Sequence, residues 1–188
     1  MIPIINQKYV GLYQNINMVS LILLLYAYSK VVSGITVSKI PSTGTPPHPF
    51  GYSSVAYDET LNRLITFGGY IAETNEYISN LHSFNLTDLS WDIIYPESDY
   101  EPPGISNAYS TIHSNALYVF FGRKFEGMSS DIYKFDLTLY AWQIVYIQGD
   151  VISGRYSYSF EKFLYLNSTY VAVYGGITRF GYDNELYL

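Results

Sequence analysis

The chain has 188 residues, 48% of them apolar and 14% charged, with a formal net charge of -6, which is enough hydrophobic material for a core and excludes disorder. No run of Lys and Arg exists to neutralise phosphates, so nucleic acid is excluded as a partner, and the absence of Cys excludes disulfide frameworks and thiolate metal sites. The 22 Tyr stand among Ile, Val, Thr and Ser and favour half-buried strands over helices.

Residues 18 to 34, "MVSLILLLYAYSKVVSG", differ from everything after them. The apolar run from 19 to 28 is short for a bilayer span and is interrupted by Lys30, but it has the length of the h-region of a secretory signal. Val32 and Gly34 offer the small or tolerated residues a signal peptidase reads, so cleavage is expected after Gly34. Residues 1–34 are therefore read as a leader and signal peptide containing a short hydrophobic helix. The only upstream positive charge is Lys8, and Met18 makes a better start than Met1. The alternatives are an uncleaved single-pass anchor or a buried strand, and membrane contact is expected only through this segment. The reading implies a secreted or cell-surface protein.

Next comes "ITVSKIPSTGTPP" (35–47), which aligns with "WDIIYPESDYEPP" (91–103) and reads as a lone strand followed by a linker. From residue 48 the chain repeats itself. "SFNLTDLSW" (83–91) returns as "KFDLTLYAW" (134–142), and these stretches hold the only two Trp, Trp91 and Trp142. "LITFGGY", "LYVFFGR" and "VAVYGGI" are apolar strands ending in Gly68-Gly69, Phe121-Gly122 and Gly175-Gly176. Ahead of them lie Tyr52-Ser53, Tyr109-Ser110 and Tyr156-Ser157; after them lie "SNLHSF", "SDIYKF" and "DNELYL".

The fixed order describes a four-stranded antiparallel unit with strands a, b, c and d: a Tyr-Ser strand, an apolar strand running into Gly-Gly, an aromatic strand, a tight turn and a Trp strand. Glycine at the end of strand b supplies positive φ, the Asn or Asp after strand c bonds to nearby backbone, and the Trp offers a large apolar face to a neighbouring unit. These are structural roles.

A Gly-Gly, a later Tyr and a later Trp in units of about fifty residues resemble the kelch repeat, each copy of which forms one blade of a β-propeller. The resemblance covers about 35–188 and implies an all-β kelch-type propeller fragment of about three four-stranded blades, at 48–101, 102–152 and 153–188, the third incomplete. Phe121-Gly122 departs from the family's two Gly, and Tyr-Ser mostly replaces its usual Arg and His. The third copy stops at Leu188 inside its strand c, whereas propellers use four to eight blades. The chain is therefore expected to be a fragment of a longer protein, with assembly of short chains into a ring as the alternative.

Strand alternation sorts the loops onto two rims. One carries the a-b and c-d turns with two glycosylation sequons, at Asn85 and Asn167. Asn85 also has a turn role, because Asp136 fills the equivalent position. The other carries the longer b-c and d-a loops, with Tyr77, Tyr100, Arg123, Lys124, Phe125, Arg179 and Phe180 as candidate partner-binding residues.

The function expected from the resemblance is non-enzymatic binding of a partner, a protein, through that second rim. A carbohydrate-binding module is one alternative, as is part of a kelch-like enzyme whose site lies in further blades; an unstable fragment without activity is another. No cofactor is expected. The copper site of kelch-like oxidases needs a Cys cross-linked to Tyr, sialidase-type propellers carry a Gly before the Trp that "TDLSW" and "TLYAW" lack, and His48, His82 and His113 are too scattered to show ligand spacing. No nucleophile, base and oxyanion set is recognisable.

Overall fold

In the computed structural model, which describes residues 37–188, the alternation of apolar residues resolves into three consecutive antiparallel sheets. The expected leader, cleavage site and hydrophobic helix lie outside the described residues. Pro41–Leu188 form one compact unit.

The first blade contains β1 (Thr43–Gly44), β2 (Ser54–Asp58), β3 (Arg63–Ile71), β4 (Glu76–Asn85) and β5 (Ser90–Ile94), in the order β1-β5-β4-β3-β2. The second contains β6 (Tyr109–His113), β7 (Ala116–Phe120), β10 (Ile132–Asp136) and β11 (Ala141–Val145), with a small separate hairpin of β8 (Arg123–Lys124) and β9 (Gly127–Met128) in its b-c loop. The third contains β12 (Arg155–Tyr156), β13 (Ser159–Tyr165), β14 (Ser168–Thr178) and β15 (Gly181–Tyr187). Strands a, b and c of that blade are β13, β14 and β15.

The first blade has a fifth strand because β1 pairs parallel with β5, Thr43 opposite Ser90 and Gly44 opposite Trp91. Gly44 has φ 81° there, and a Cβ would collide with the Trp91 carbonyl oxygen. Within the stretch expected to form a lone strand, Thr43 and Gly44 thus lie on the outer edge of the first blade.

Pairing fixes the register between blades. Ser54 faces Phe67, Tyr109 faces Phe120 and Ser159 faces Tyr174, so these three pairs are equivalent. The Tyr-Ser pairs of the sequence therefore do not superpose: Tyr52, Asn107 and Ser157 share one position, with φ of 62°, 53° and 55°, whereas Tyr109 is equivalent to Ser54. Local similarity of dipeptides misled because the a-b hairpins differ in length.

The glycine pair is likewise not a strand end in the first and third blades. β3 and β14 run on through it, and a bulge sits between Phe67 and Gly69 and between Tyr174 and Gly176. In the first blade the bulge re-aims the strand so that Gly69 N donates to Ile105 O (2.8 Å); in the second, where β7 ends at Phe120, Gly122 N donates to Arg155 O (2.9 Å). The first and second blades are each thereby clamped to the incoming loop of the next. No side chain is tolerated at the first of these donors' neighbours without cost: a Cβ at Gly68 would strike the Ile105 carbonyl.

The c-d turns take the expected form. Asn85 Oδ1 accepts from Thr87 N, and Asp136 Oδ1 accepts from Thr138 N and Leu139 N. The Thr of the recurring Leu-Thr has a further role, because Asn62 Nδ2 donates to Thr87 Oγ1 and Asn115 Nδ2 to Thr138 Oγ1, tying each c-d turn to its a-b turn.

The core lies between blades. Ile65, Phe67 and Leu81 of the first blade pack with Leu117, Val119, Tyr133, Phe135 and Trp142 of the second. The Trp142 ring sits 5.0 Å from Phe67 and 4.9 Å from Phe135, which is the wedge role its recurrence suggested. Trp91 packs on Phe84 of its own blade at 4.9 Å and is only half-buried. A second cluster joins Phe121, Tyr158 and Val173 between the second and third blades, with Phe120, Phe160 and Tyr187 around it.

Candidate functional site

The chain enters each strand a through a left-handed residue, and this brings Tyr52, Asn107 and Ser157 side by side, linked by Asn107 N donating to Tyr52 O (2.8 Å). A left-handed Tyr is costly for a bulky side chain. Because all three blades repeat the conformation, it belongs to blade geometry rather than to any one ligand contact. Together with the strand a residues Ser54, Tyr109 and Ser110, these positions line a groove of about 410 Å³.

The groove opens on the b-c and d-a rim into a mouth of about 430 Å³ lined by Tyr52, Tyr70, Tyr77, Asn107, Arg123 and Tyr156, among others. The Tyr70 ring packs tilted against Tyr77 at 5.1 Å and its hydroxyl donates to Asn75 Oδ1 at 2.7 Å, which fixes the phenol at the lip. Arg123 is exposed, and its guanidinium lies 5.8 Å from the Tyr156 ring centroid. Among the described residues the ion pairs are Asp58–Arg63 and Asp183–Arg155, so Arg123 enters the mouth without a carboxylate partner.

Two further concavities flank the mouth. One, of about 380 Å³, is bounded by Asn75, Glu76, Tyr77, Gly104, Phe125 and Glu126 and bridges the first two blades. The other, of about 500 Å³, has Glu126, Met128, Ile152 and Arg179 on its walls and bridges the second and third.

The structure thus brings Tyr77 and Arg123 into one mouth and sets Phe125, 77% exposed, beside the same Tyr77 in the adjoining hollow. Arg179 lies over the exposed Phe180 ring at 4.6 Å, on the third blade's side of the rim. Lys124 is half-buried in β8, away from these hollows. Tyr100 is outside them too: burial first, then the charge of Asp131 and the nearby Tyr146, push its phenol up. Two walls of the mouth, Tyr52 and Asn107, escape a reading of the sequence because left-handed residues other than Gly carry no reliable signal.

Arg155 also escapes it. Its side chain is fully buried, with Nε donating to Ser153 O at 3.1 Å, Nη1 to Gly175 O at 2.8 Å, and Nη2 lying 2.8 Å from Asp183 Oδ2. Its charge is further placed 4.9 Å from the Tyr187 ring. The Glu185 backbone N–H foremost, and then Arg155, hold the Asp183 carboxyl below its ordinary range. Arg155 occupies the position of Phe50 and Ile105, so it is the third blade's anchor rather than a ligand group. A charged residue at a position that is apolar in both other copies was the available signal.

Two buried phenols have similar structural duties. Tyr158 donates to Phe120 O at 2.7 Å and accepts from Tyr109 N at 3.2 Å, and Tyr133 donates to Asp131 at 2.9 Å. Burial pushes both far above the ordinary tyrosine value. Among the described residues no three His, Asp or Glu side chains converge as metal ligands do.

Comparison with known proteins agrees with the blade architecture. A stretch of 87 residues, 45% of this chain, is 30% identical to Kelch repeat-containing protein 2 of Saccharomyces cerevisiae and covers 10% of that protein's length. Residues 25–188 match the family described as the KLHDC2/KLHL20/DRC7 Kelch-repeats domain. With Gly-bulge strands, Asx-type c-d turns and a Trp wedge in ordered copies, the chain belongs to this kelch-repeat family and folds as consecutive β-propeller blades.

Proposed function

We propose that the chain is a non-enzymatic binding domain that holds a protein partner on its b-c and d-a rim, centred on the Tyr-lined mouth around Arg123. The observation that carries this reading is the mouth itself: loops from three rigid blades converge on one concavity whose arginine has no carboxylate partner among the described residues. Rigid scaffolds with variable loops are the usual setting for recognition, and an arginine amid aromatic rings suits a partner offering carboxylate or carbonyl oxygens beside apolar groups. Arg123→Glu should abolish capture of a discrete set of polypeptides from lysate of the source cells, whereas Asn167→Gln, on the opposite rim, should leave that set intact. Equal effects of the two, or none from Arg123→Glu, would refute the assignment. On a glycan array the protein should give no signal.

For location we propose the secretory pathway or cell surface, on the strength of the apolar run at 19–28 and the residues at Val32 and Gly34. The family match begins at residue 25, within that segment. N-terminal sequencing of protein recovered from medium tests the reading: Ile35 as first residue is the expected result, and retention of residues 25–34 would overturn cleavage.

A further inference from the structure

The two hollows that flank the mouth are built on the same backbone. Tyr77 pairs with Tyr70 and Met128 with Arg123, so Tyr77 and Met128 hold equivalent places in the first and second blades. At the first junction a Cβ on Gly104 would collide with the Tyr77 carbonyl, and at the second a Cβ on Gly154 would come within 2.8 Å of the Met128 carbonyl oxygen. Each glycine lets the incoming loop lie directly on the blade before it. The base of each hollow is therefore packed backbone, and side chains at the edge decide its chemistry.

Those edges differ in charge. A two-residue turn carries Phe125-Glu126 in the second blade and Arg179-Phe180 at the same place in the third, since Lys124 pairs with Gly127 and Thr178 with Gly181. The hollow between the second and third blades thus has Arg179 facing Glu126 across a wall that includes Met128 and Ile152. The hollow between the first and second, of about 380 Å³, has carboxylates alone, Glu76 and Glu126, together with the rings of Tyr77 and Phe125. Thr74 Oγ1 donates to Glu76 Oε2 at 3.4 Å. Among the described residues neither carboxylate has an ion-pair partner, and the rim's arginines lie against other rings, Arg123 by Tyr156 and Arg179 over Phe180.

Two rings and two carboxylates around one concavity repel an anion and favour a cation carried on an aliphatic stem. The stem packs on the rings, and the charge is attracted both by their π-systems and by the carboxylates. Asn75 and Tyr77 line this hollow and the mouth alike. A polypeptide crossing Tyr77 therefore passes from Arg123 to Glu76 and Glu126 within a few residues.

We propose that the hollow between the first and second blades receives a lysine or arginine side chain of the protein partner, next to the group that the same partner offers to Arg123. The proposal rests on the partner reading above and adds to it a basic residue at a short, fixed distance from an acidic one.

The test uses random dodecapeptides displayed on phage and selected on the full 188-residue chain. The selected sequences should share a Lys or Arg a few residues from an Asp or Glu. Selection on Glu76→Gln/Glu126→Gln should lose the basic position and keep the acidic one, and selection on Arg123→Glu should do the reverse. A selected peptide should bind the double Gln variant about three- to tenfold more weakly, and Phe125→Leu about two- to fivefold more weakly. The same peptide with norleucine in place of its basic residue should bind the unmodified chain and these two variants equally. Glu76, Phe125 and Glu126 are exposed, so circular dichroism of the variants should match that of the unmodified chain. Selected sequences with an acidic position and no basic one would overturn the proposal and leave the partner reading in place, whereas no selected sequence at all would overturn both. A basic position that survives the double Gln change, or a norleucine peptide that still separates the variants, would also overturn the proposal.

Discussion

Phe121 occupies the position held by Gly68 and Gly175, with φ 52° against their 69° and 66°. A left-handed backbone costs a residue bearing a Cβ about 1–2 kcal/mol, and yet the ring is 1% exposed, edge-on to Tyr158 at 5.6 Å and close to Phe120. The burial wins, since truncating a buried Phe to Ala costs about 3–5 kcal/mol. Phe121→Ala should therefore lose that amount and keep the backbone penalty. Phe121→Gly loses the same ring but relieves the penalty, offset in part by about 0.4–1 kcal/mol from the freer unfolded chain. Glycine should consequently be the better of the two replacements by roughly 0.5–1 kcal/mol, although it is the smaller residue and normally the worse one inside a sheet. Urea unfolding of the two variants measures the difference through their midpoints at equal slope. An Ala variant as stable as the Gly variant would show that the backbone at 121 is not strained, and the reasoning would fail.

The two tryptophans should separate: Trp142→Ala, which empties the junction of the first two blades, should cost about 3–5 kcal/mol, and Trp91→Ala roughly half of that in proportion to its lesser burial, both read from denaturant midpoints. His82 is buried, and desolvation lowers its pKa from 6.5. The unfolded chain then takes up a proton that the folded chain declines, so stability should fall as pH drops below 6.5; His82→Tyr, the residue found at the equivalent Tyr133 and Tyr187, should flatten that slope, and an unchanged slope would exonerate His82. When the chain is expressed through a eukaryotic secretory pathway, Asn167, exposed at a hairpin tip, should carry a glycan while Asn85, whose Oδ1 is bonded to Thr87 N, should not; peptide mass after enzymatic deglycosylation distinguishes them.

What was legible in the sequence is what local chemistry dictates. The Asx-type turn at Asn85 and Asp136 needs only a short polar side chain and its next two residues, so its recurrence could be read directly. The Trp142 wedge could be read as well, because a large aromatic recurring at a fixed place in a repeat has to be buried against something. From local chemistry alone the bulge at Gly68-Gly69 reads as a strand end, since a positive φ in isolation does not say whether pairing resumes after it; in the fold it resumes because β4 is long enough to pair on both sides. The Tyr-Ser register failed for a nonlocal reason, the unequal hairpins. Nothing local announced the pairing of β1 with β5 either, since a two-residue strand whose second residue is a left-handed glycine has no pattern.

The rim separates what every blade must share from what each is free to change. Tyr70, Arg123 and Ile177 share one position, immediately after the second residue of the glycine pair, and each pairs with an incoming loop residue: Gly51, Ser106 and Tyr156. The backbone is paired with the incoming loop in all three cases, and in the first two blades the glycine clamp lies directly behind it, so the side chain there contributes little to holding the blades together. A phenol, a guanidinium and an aliphatic chain on one repeated backbone position are what a scaffold shows where folding has stopped constraining the residue. One step earlier, at Gly69, Gly122 and Gly176, no variation is seen, because a Cβ at Gly122 would come within 2.6 Å of Ile105 and one at Gly176 within 2.8 Å of Tyr158. The boundary between structural constraint and freedom therefore falls between adjacent residues, and Arg123 lies on the free side of it. That contrast, more than exposure alone, is the physical reason for placing recognition at the mouth.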